Sequence, residues 1–253
     1  MRENDTALIR LLDLPVALVL LTRLPLPALP DAGFAREARA VWAFGLAGAV
    51  VGGIGAAVAS IALGLGLAPV LAAGLCLGAQ MIATGAMHED GLADTVDGFW
   101  GGWTAERRLE IMKDSHIGTY GVLALVLSVG LRWLALSVVL NGSVLAVIAV
   151  AMLSRAVLPT LMAALPRARP GGLSDRVGRP PMAAAGLAAA LGVFGVVACL
   201  GAQAAPVLLV TLLAAGGMAA LARAKIGGQT GDVLGATQQM IEIACLLVLS
   251  STL

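Results

Sequence analysis

The hydrophobic and polar positions of this chain do not alternate, because apolar residues gather into long runs separated by short polar segments. Seven runs are long enough for a membrane span, which takes about 20 apolar residues. They cover residues 41–66, 69–89, 118–140, 143–165, 182–200, 205–222 and 233–252. As a helix, the first run would rise about 39 Å, enough to cross the hydrocarbon core with some tilt. The pattern predicts an all-α polytopic membrane protein with about seven transmembrane helices.

An eighth apolar stretch, residues 14–29, is interrupted. Arg23 lies within it, and several prolines would break or kink a helix there. We therefore predict an N-terminal interfacial or re-entrant helix rather than a span. Residues 1–253 as a whole are interpreted as a single integral-membrane domain.

Composition agrees with this class of protein. Hydrophobic residues make up 59% of the chain, charged residues 12%, and the mean hydropathy is +0.95. A soluble domain carries about a quarter charged residues. The net charge of +1 does not favour a nucleic-acid partner. The three cysteines lie in apolar stretches without metal-ligand spacing, so we interpret them as core residues.

The basic residues of the connecting segments predict the orientation. Segments 31–40, 98–117, 166–181 and 223–232 together carry eleven Lys and Arg residues, whereas the alternate connections near 67–68, 141–142 and 201–204 carry none. The positive-inside rule then predicts a bacterial inner-membrane protein with its basic segments in the cytoplasm and its C-terminus in the periplasm. Arg2 and Arg10 favour a cytoplasmic N-terminus as well.

An acidic helix face follows the second apolar run. Asp90, Asp94 and Asp97 are spaced so that they fall within an arc of about 60° on a helix. Residues 88–97 contain four acids and no Lys or Arg, whereas an ordinary solvated helix end tends to mix charge signs. Carboxylate oxygens in this arrangement suit Mg²⁺ or Mn²⁺, which also bind substrate phosphates. His88 and Glu89 point to other faces of the same helix.

The segment that follows adds candidate groups. Asp114 is a further candidate metal ligand, and Lys113 could neutralise a phosphate. Gly118 and Gly121 open the next run, where free backbone N–H groups could face an anion. Arg107 and Arg108 are better interpreted as anchors at the membrane surface.

A second polar cluster precedes the last run. Gly227, Gly228 and Gly231 would let the backbone approach a ligand closely. Asp232 either caps the final helix or joins a metal or nucleotide site.

Glu242 and two arginines lie inside the predicted spans. Glu242 needs a partner there, because an isolated charge in the membrane is unfavourable. Arg132 and Arg155 are the only basic residues in the seven spans. Each is a candidate to pair with Glu242 or to bind a substrate phosphate.

Long motifs in the chain resemble a known family. These are residues 88–98 (HEDGLADTVDG), 111–121 (IMKDSHIGTYG), 229–237 (QTGDVLGAT) with Glu242, and 21–27 (LTRLPLP). Together they closely resemble the cobalamin synthase family, also called adenosylcobinamide-GDP ribazoletransferase, over nearly the whole chain. Two positions depart from the family pattern: Glu89 is more usually apolar and His116 more usually arginine. The second departure weakens the case for a fixed positive charge at position 116.

The resemblance implies a reaction. Adenosylcobinamide-GDP and α-ribazole, or its 5′-phosphate, would give adenosylcobalamin, or its phosphate, and GMP, with Mg²⁺ required and the active site facing the cytoplasm. The predicted metal ligands are Asp90, Asp94, Asp97 and Asp114, and the predicted catalytic residues are these four and Lys113. The predicted substrate-binding residues are His88, Ser115, Arg155, Gln229, Thr230, Asp232 and Glu242.

Two alternatives remain at this point. A CDP-alcohol phosphotransferase uses related chemistry, but that family's acidic motif has arginine where this chain has Asp94. A transporter would fit the charges within spans and the glycine-rich helices, although the carboxylates cluster at one face of the membrane instead of its middle. Glycines spaced by four, as at Gly48 and Gly52, favour close helix packing and make a homo-oligomer plausible.

Overall fold

The computed structural model describes residues 7–252, so Arg2 lies outside the described residues. Within that range the chain is helical and contains no strand, apart from one isolated bridge between Arg167 and Gln229. The predicted all-α class is confirmed.

The helices of the first half begin with three short ones, continue with three longer ones and end with another short one. They are α1 (Asp13–Leu21), α2 (Asp31–Phe34), α3 (Glu37–Ala40), α4 (Phe44–Gly64), α5 (Pro69–Thr84), α6 (Met87–Gly101) and α7 (Ala105–Ile111). Those of the second half are α8 (Thr119–Gly142), α9 (Leu145–Ala156), α10 (Leu158–Ala164), α11 (Leu173–Val177), α12 (Met182–Leu200), α13 (Ala204–Ile226) and α14 (Gly231–Ser251). Turns of 3₁₀ helix at Val41–Ala43 and Gly201–Gln203 join α3 to α4 and α12 to α13.

Five helical stretches in the described range are long and apolar enough to cross a membrane. They are Glu37–Gly64, Thr119–Gly142, Leu145–Ala164, Met182–Ile226 and Gly231–Ser251, and α5 with α6 makes a sixth if that bent pair counts as one span. Helix α1 has only nine residues and is too short to cross alone. Its predicted interfacial or re-entrant position stays a prediction.

The chain turns sharply between α5 and α6. The predicted span 69–89 ends at Thr84, because Gly85 and Ala86 both adopt left-handed backbone conformations, with φ of 64° and 56°. The amide of Ala86 donates to the carbonyl of Met81 and closes the end of α5. The axes of α5 and α6 then differ by 86°. The acidic helix is therefore set at a right angle to the helix before it.

The stretch Met182–Ile226 is 45 residues long and doubles back on itself. A straight helix of that length would measure roughly 68 Å. Its two ends are instead held near each other, because Arg179 donates to the carbonyl of Ala163 and the amide of Gln229 donates to that of Pro166. The reversal falls at Gly201, where φ is 55° and ψ is −122°. Accordingly, α12 packs mainly on α9 and α13 mainly on α14.

All four basic segments meet at one end of the bundle, called the basic end below. Three hydrogen bonds connect them in series. These are Arg176 Nε to Glu37 Oε2 at 3.4 Å, Arg169 Nη1 to the carbonyl of Leu109 at 3.2 Å, and Arg108 Nη1 to the carbonyl of Lys225 at 2.9 Å. The turn at Gly201–Gln203 lies beside the C-terminal Thr252.

Glycines set the closest helix contact. A Cβ added at Gly48 would lie 2.2 Å from the carbonyl oxygen of Ala151, and one at Gly52 would lie 2.8 Å from Cα of Ile148. Helices α4 and α9 therefore touch backbone to backbone, as glycines spaced by four permit in lipid. The predicted packing role of this pair is confirmed.

Candidate active site

The site begins where α6 crosses α14, and two glycines make the crossing possible. A Cβ at Gly91 would lie 2.8 Å from the carbonyl oxygen of Asp232, and one at Gly235 would lie 3.3 Å from Cα of His88. The first turn of α14 is thereby held against the first half of α6, although about 140 residues separate them in the sequence.

Four carboxylates gather at this crossing, and we call Asp90, Asp94, Asp97 and Asp232 the acidic cluster. The predicted helix over the first three is confirmed by α6. The negative charges of the other three all act on Asp94, which makes it the electrostatic centre of the cluster. Asp232 therefore joins the group instead of only capping α14, whose cap is the side chain of Thr230.

One cation lies among these acids. Arg169 Nη2 donates to Asp232 Oδ2 at 2.8 Å, and its charge also acts on Asp94. This role could not be predicted from the sequence, because Arg169 belongs to a segment of four arginines that all fit the positive-inside pattern. Its partner becomes apparent only when the segment folds back over α14.

The carboxylate of Asp97 is hydrogen-bonded to two backbone amides. Its carboxylate accepts from Gly118 N at 2.7 Å and from Gly121 N at 2.9 Å. A Cβ at either glycine would lie 2.4 Å from a carboxylate oxygen. The expectation that these amides are free to face a ligand anion is wrong for this structure. The anion that these amides bind is the carboxylate of Asp97, which lies on α6 and caps the start of α8.

Three predicted site residues lie in the segment after α7. Lys113, Asp114 and Ser115 are all exposed. Asp114 accepts hydrogen bonds from His116, through Nδ1–H at 2.7 Å and the backbone amide at 3.0 Å. These hydrogen bonds, with Arg107 nearby, lower the pKa of Asp114 below its ordinary value. The structure therefore places Asp114, the predicted fourth metal ligand, in contact with a residue of its own loop.

The donor set can be compared with the needs of a divalent cation. Among residues 7–252, no three His, Cys, Asp or Glu side chains are arranged to hold an ion by themselves. Mg²⁺, however, is usually bound by one or two carboxylates together with water and substrate phosphates. Asp90 is exposed, and Asp94 and Asp232 are partly exposed. Their oxygens fit a site that substrate completes.

A buried charge network lies below the cluster. Arg132 pairs with Glu89 at 3.1 Å and with Glu242 at 3.3 Å, and Arg155 pairs with Glu242 at 2.9 Å. Two acids and two bases thus balance each other in the interior. The prediction that an arginine within a span pairs with Glu242 is confirmed for both arginines. Binding of substrate by Arg155 or Glu242 stays a prediction, and here the two side chains pair with each other.

The remaining predicted residues lie at the start of α14. Gln229 is buried, accepts from Ser174 Oγ at 2.7 Å, and pairs through its backbone with residues 166 and 168. Thr230 accepts from the amide of Val233 and caps the helix. His88 is also buried and lines a pocket beside this helix. The structure brings these groups to the crossing of α6 and α14.

The fold and site together define a class: a polytopic helical membrane protein with a carboxylate cluster assembled from two helices at its basic end. Comparison with known sequences narrows this class. The sequence model of the family described as cobalamin-5-phosphate synthase matches residues 13–250, and the chain belongs to this family.

Individual relatives support the assignment to this family. A protein of Bradyrhizobium diazoefficiens is 49% identical over 239 residues, which are 93% of this chain and 92% of the relative. One of Mesorhizobium japonicum is 46% identical over 245 residues, 95% of this chain and 93% of its own length. Both are named adenosylcobinamide-GDP ribazoletransferase. No solved structure matches the chain.

Proposed function

We propose that this protein is an adenosylcobinamide-GDP ribazoletransferase, which completes the nucleotide loop of cobalamin. It would join adenosylcobinamide-GDP to α-ribazole, or its 5′-phosphate, and release GMP. The observation that carries this proposal is family membership over residues 13–250, a range that contains the whole acidic cluster. The names and nearly complete coverage of the relatives support it.

The bonds exchanged follow from the two substrates. The ribazole hydroxyl oxygen forms a bond to the phosphorus attached to the cobinamide arm, and the bond from that phosphorus to the oxygen of GMP breaks. The hydroxyl proton passes to a carboxylate of the acidic cluster, and GMP leaves with the electron pair. Asp90, Asp94 and Asp232 would hold Mg²⁺, which when bound would neutralise charge on the diphosphate. Arg169 fixes the position of Asp232.

We also propose how the chain lies in the membrane. Because Met182–Ile226 doubles back at Gly201, it would cross twice, and with α5 and α6 as one broken span the chain would cross seven times. The basic end would face the cytoplasm of a bacterial inner membrane, with the C-terminus in the periplasm. The grouping of all four basic segments at one end supports this orientation.

The test uses the purified chain in lipid nanodiscs with adenosylcobinamide-GDP, α-ribazole and Mg²⁺. We expect stoichiometric GMP and adenosylcobalamin, with GMP release abolished by EDTA and restored by added Mg²⁺. Folded protein that releases no GMP would overturn the transferase assignment. Turnover that persists in EDTA would refute the metal requirement and leave the transferase assignment standing.

A further inference from the structure

An apolar pocket opens beside the acidic cluster at the basic end. It lies between α1, α4, α6, α10, α11 and α14, and its empty space is about 470 Å³ when the open solvent at its mouth is included. Most of its lining is hydrocarbon, including Phe44, Leu158, Met162 and Leu234. Pockets of this kind bind small organic ligands, and a few polar groups fix the orientation of the ligand.

The polar side chain that stands out in this lining is His88. It is only 2% exposed, and neither Nδ1 nor Nε2 has a hydrogen-bond partner among the residues the structure describes. Buried polar side chains are normally hydrogen-bonded, so an orphaned imidazole at a pocket wall indicates a missing partner. The other polar side chain of the lining, Ser174, already donates its hydroxyl to Gln229.

The helix crossing places His88 at this wall. Gly235 lies against the backbone of His88, where an added Cβ would come within 3.3 Å of the His88 Cα, and Gly231 lines the pocket one residue before Asp232. The pocket and the acidic cluster thus share two walls, α6 and α14. A nucleoside whose base enters the pocket would carry its ribose hydroxyls toward the carboxylates.

We infer that this pocket binds the dimethylbenzimidazole base of ribazole, with the N–H of His88 donating to the free ring nitrogen of the base. This inference rests on the proposed function. The base is a flat hydrocarbon bicycle with two methyl groups and one in-plane acceptor, which matches an apolar wall with one donor. Guanine and adenine, the other two bases among the substrates, would each leave several donors and acceptors unpaired against Leu, Met and Phe side chains.

The sharpest test changes the ligand. Binding of α-ribazole and of its analogue with C–H in place of the free ring nitrogen is measured by calorimetry in nanodiscs, without the second substrate. We expect the natural nucleoside to bind wild-type protein about tenfold more tightly, the effect of one hydrogen bond. Equal affinities in the wild type would overturn the inference, and this comparison needs no variant to fold.

Two variants complete the thermodynamic cycle. His88→Leu should bind both nucleosides equally and weakly, because it lacks the donor, while Thr211→Val, a buried hydroxyl change in α13, should keep the tenfold preference. The KM for adenosylcobinamide-GDP should be unchanged in His88→Leu. A preference that persists in His88→Leu, or a rise in the KM for adenosylcobinamide-GDP alone, would assign the pocket to another ligand.

The same measurements separate this inference from the proposed function. Protein that releases GMP but does not distinguish the two nucleosides would refute the pocket assignment alone. Protein that binds α-ribazole through His88 but never releases GMP would refute the transferase assignment alone.

Discussion

At the scale of single residues, Asp94 is the carboxylate on which we expect the proposed chemistry to depend most. It is partly exposed, so substrate can reach it, and the charges of Asp90, Asp97 and Asp232 all act on it. A group in that position gains most from a bound cation, since opposite charge relieves the repulsion among the four acids.

We therefore expect Asp94→Asn to lower the kcat for GMP release by at least about 100-fold without lowering the thermal unfolding temperature, because removing one like charge relieves repulsion. Glu106→Gln, an exposed change on α7, serves as the matched charge control and should retain normal turnover. Near-normal kcat in Asp94→Asn would remove Asp94 from the metal site.

The buried charges illustrate which residue roles a sequence can predict. That Glu242 pairs with an arginine follows from the high free energy of an isolated charge inside the membrane, so it needed no structure. That Glu89 completes the same network was not predicted, because its position on α6 said only that it points away from the other acids. Its partner, Arg132, lies 43 residues further along the chain.

At the scale of helices, the contact between α6 and the start of α8 depends on two glycines. Gly121→Ala should destabilise the protein, because its Cβ would lie 2.4 Å from Asp97 Oδ2 and would displace the carboxylate from both amides. Gly130→Ala in the same helix meets open space and should be neutral or stabilising. Thermal unfolding of the two variants in matched nanodiscs makes the comparison.

We expect the unfolding temperature of Gly121→Ala to fall and GMP release to fall with it, while Gly130→Ala stays at or above the wild type. Equal unfolding temperatures for the two alanine variants would contradict the capping role of Asp97.

The helices themselves were largely predictable from the sequence, whereas their ends and the contacts between them were not. Long apolar runs identify membrane helices through composition alone, and the aspartate face follows from helical periodicity, a local property. The end of α5 was placed too late because alanine rarely adopts the left-handed conformation that Ala86 has here. Likewise, the link from Asp97 to Gly118 joins two helices, and sequence spacing carries no information about such contacts.

At the scale of the whole molecule, the arrangement of loops predicts which residues can be labelled from each side. In a variant without Cys76, Cys199 and Cys245, single cysteines at Glu110 on the basic end and at Asn141, the exposed end of α8, should lie on opposite faces. An impermeant maleimide applied to intact cells should label Asn141→Cys only, and both variants after the cells are opened.

Retained GMP release shows that each cysteine variant is folded. Labelling of Glu110→Cys in intact cells, or labelling of both positions from the same side, would refute the proposed orientation.

The crossing of α6 and α14 also determines when the enzyme can first exist. Glu89 and its hydrogen-bond partner Gln239 are 150 positions apart, so α6 is synthesised well before the helix that completes its site. At roughly 5–20 residues per second, this interval lasts about 8–30 s. A chain whose synthesis stops before α14 lacks Asp232 and leaves Glu89 and Arg132 without Gln239 and Glu242. On the proposed function, we therefore expect a partly synthesised chain to be inactive toward the corrinoid substrate until α14 has been made.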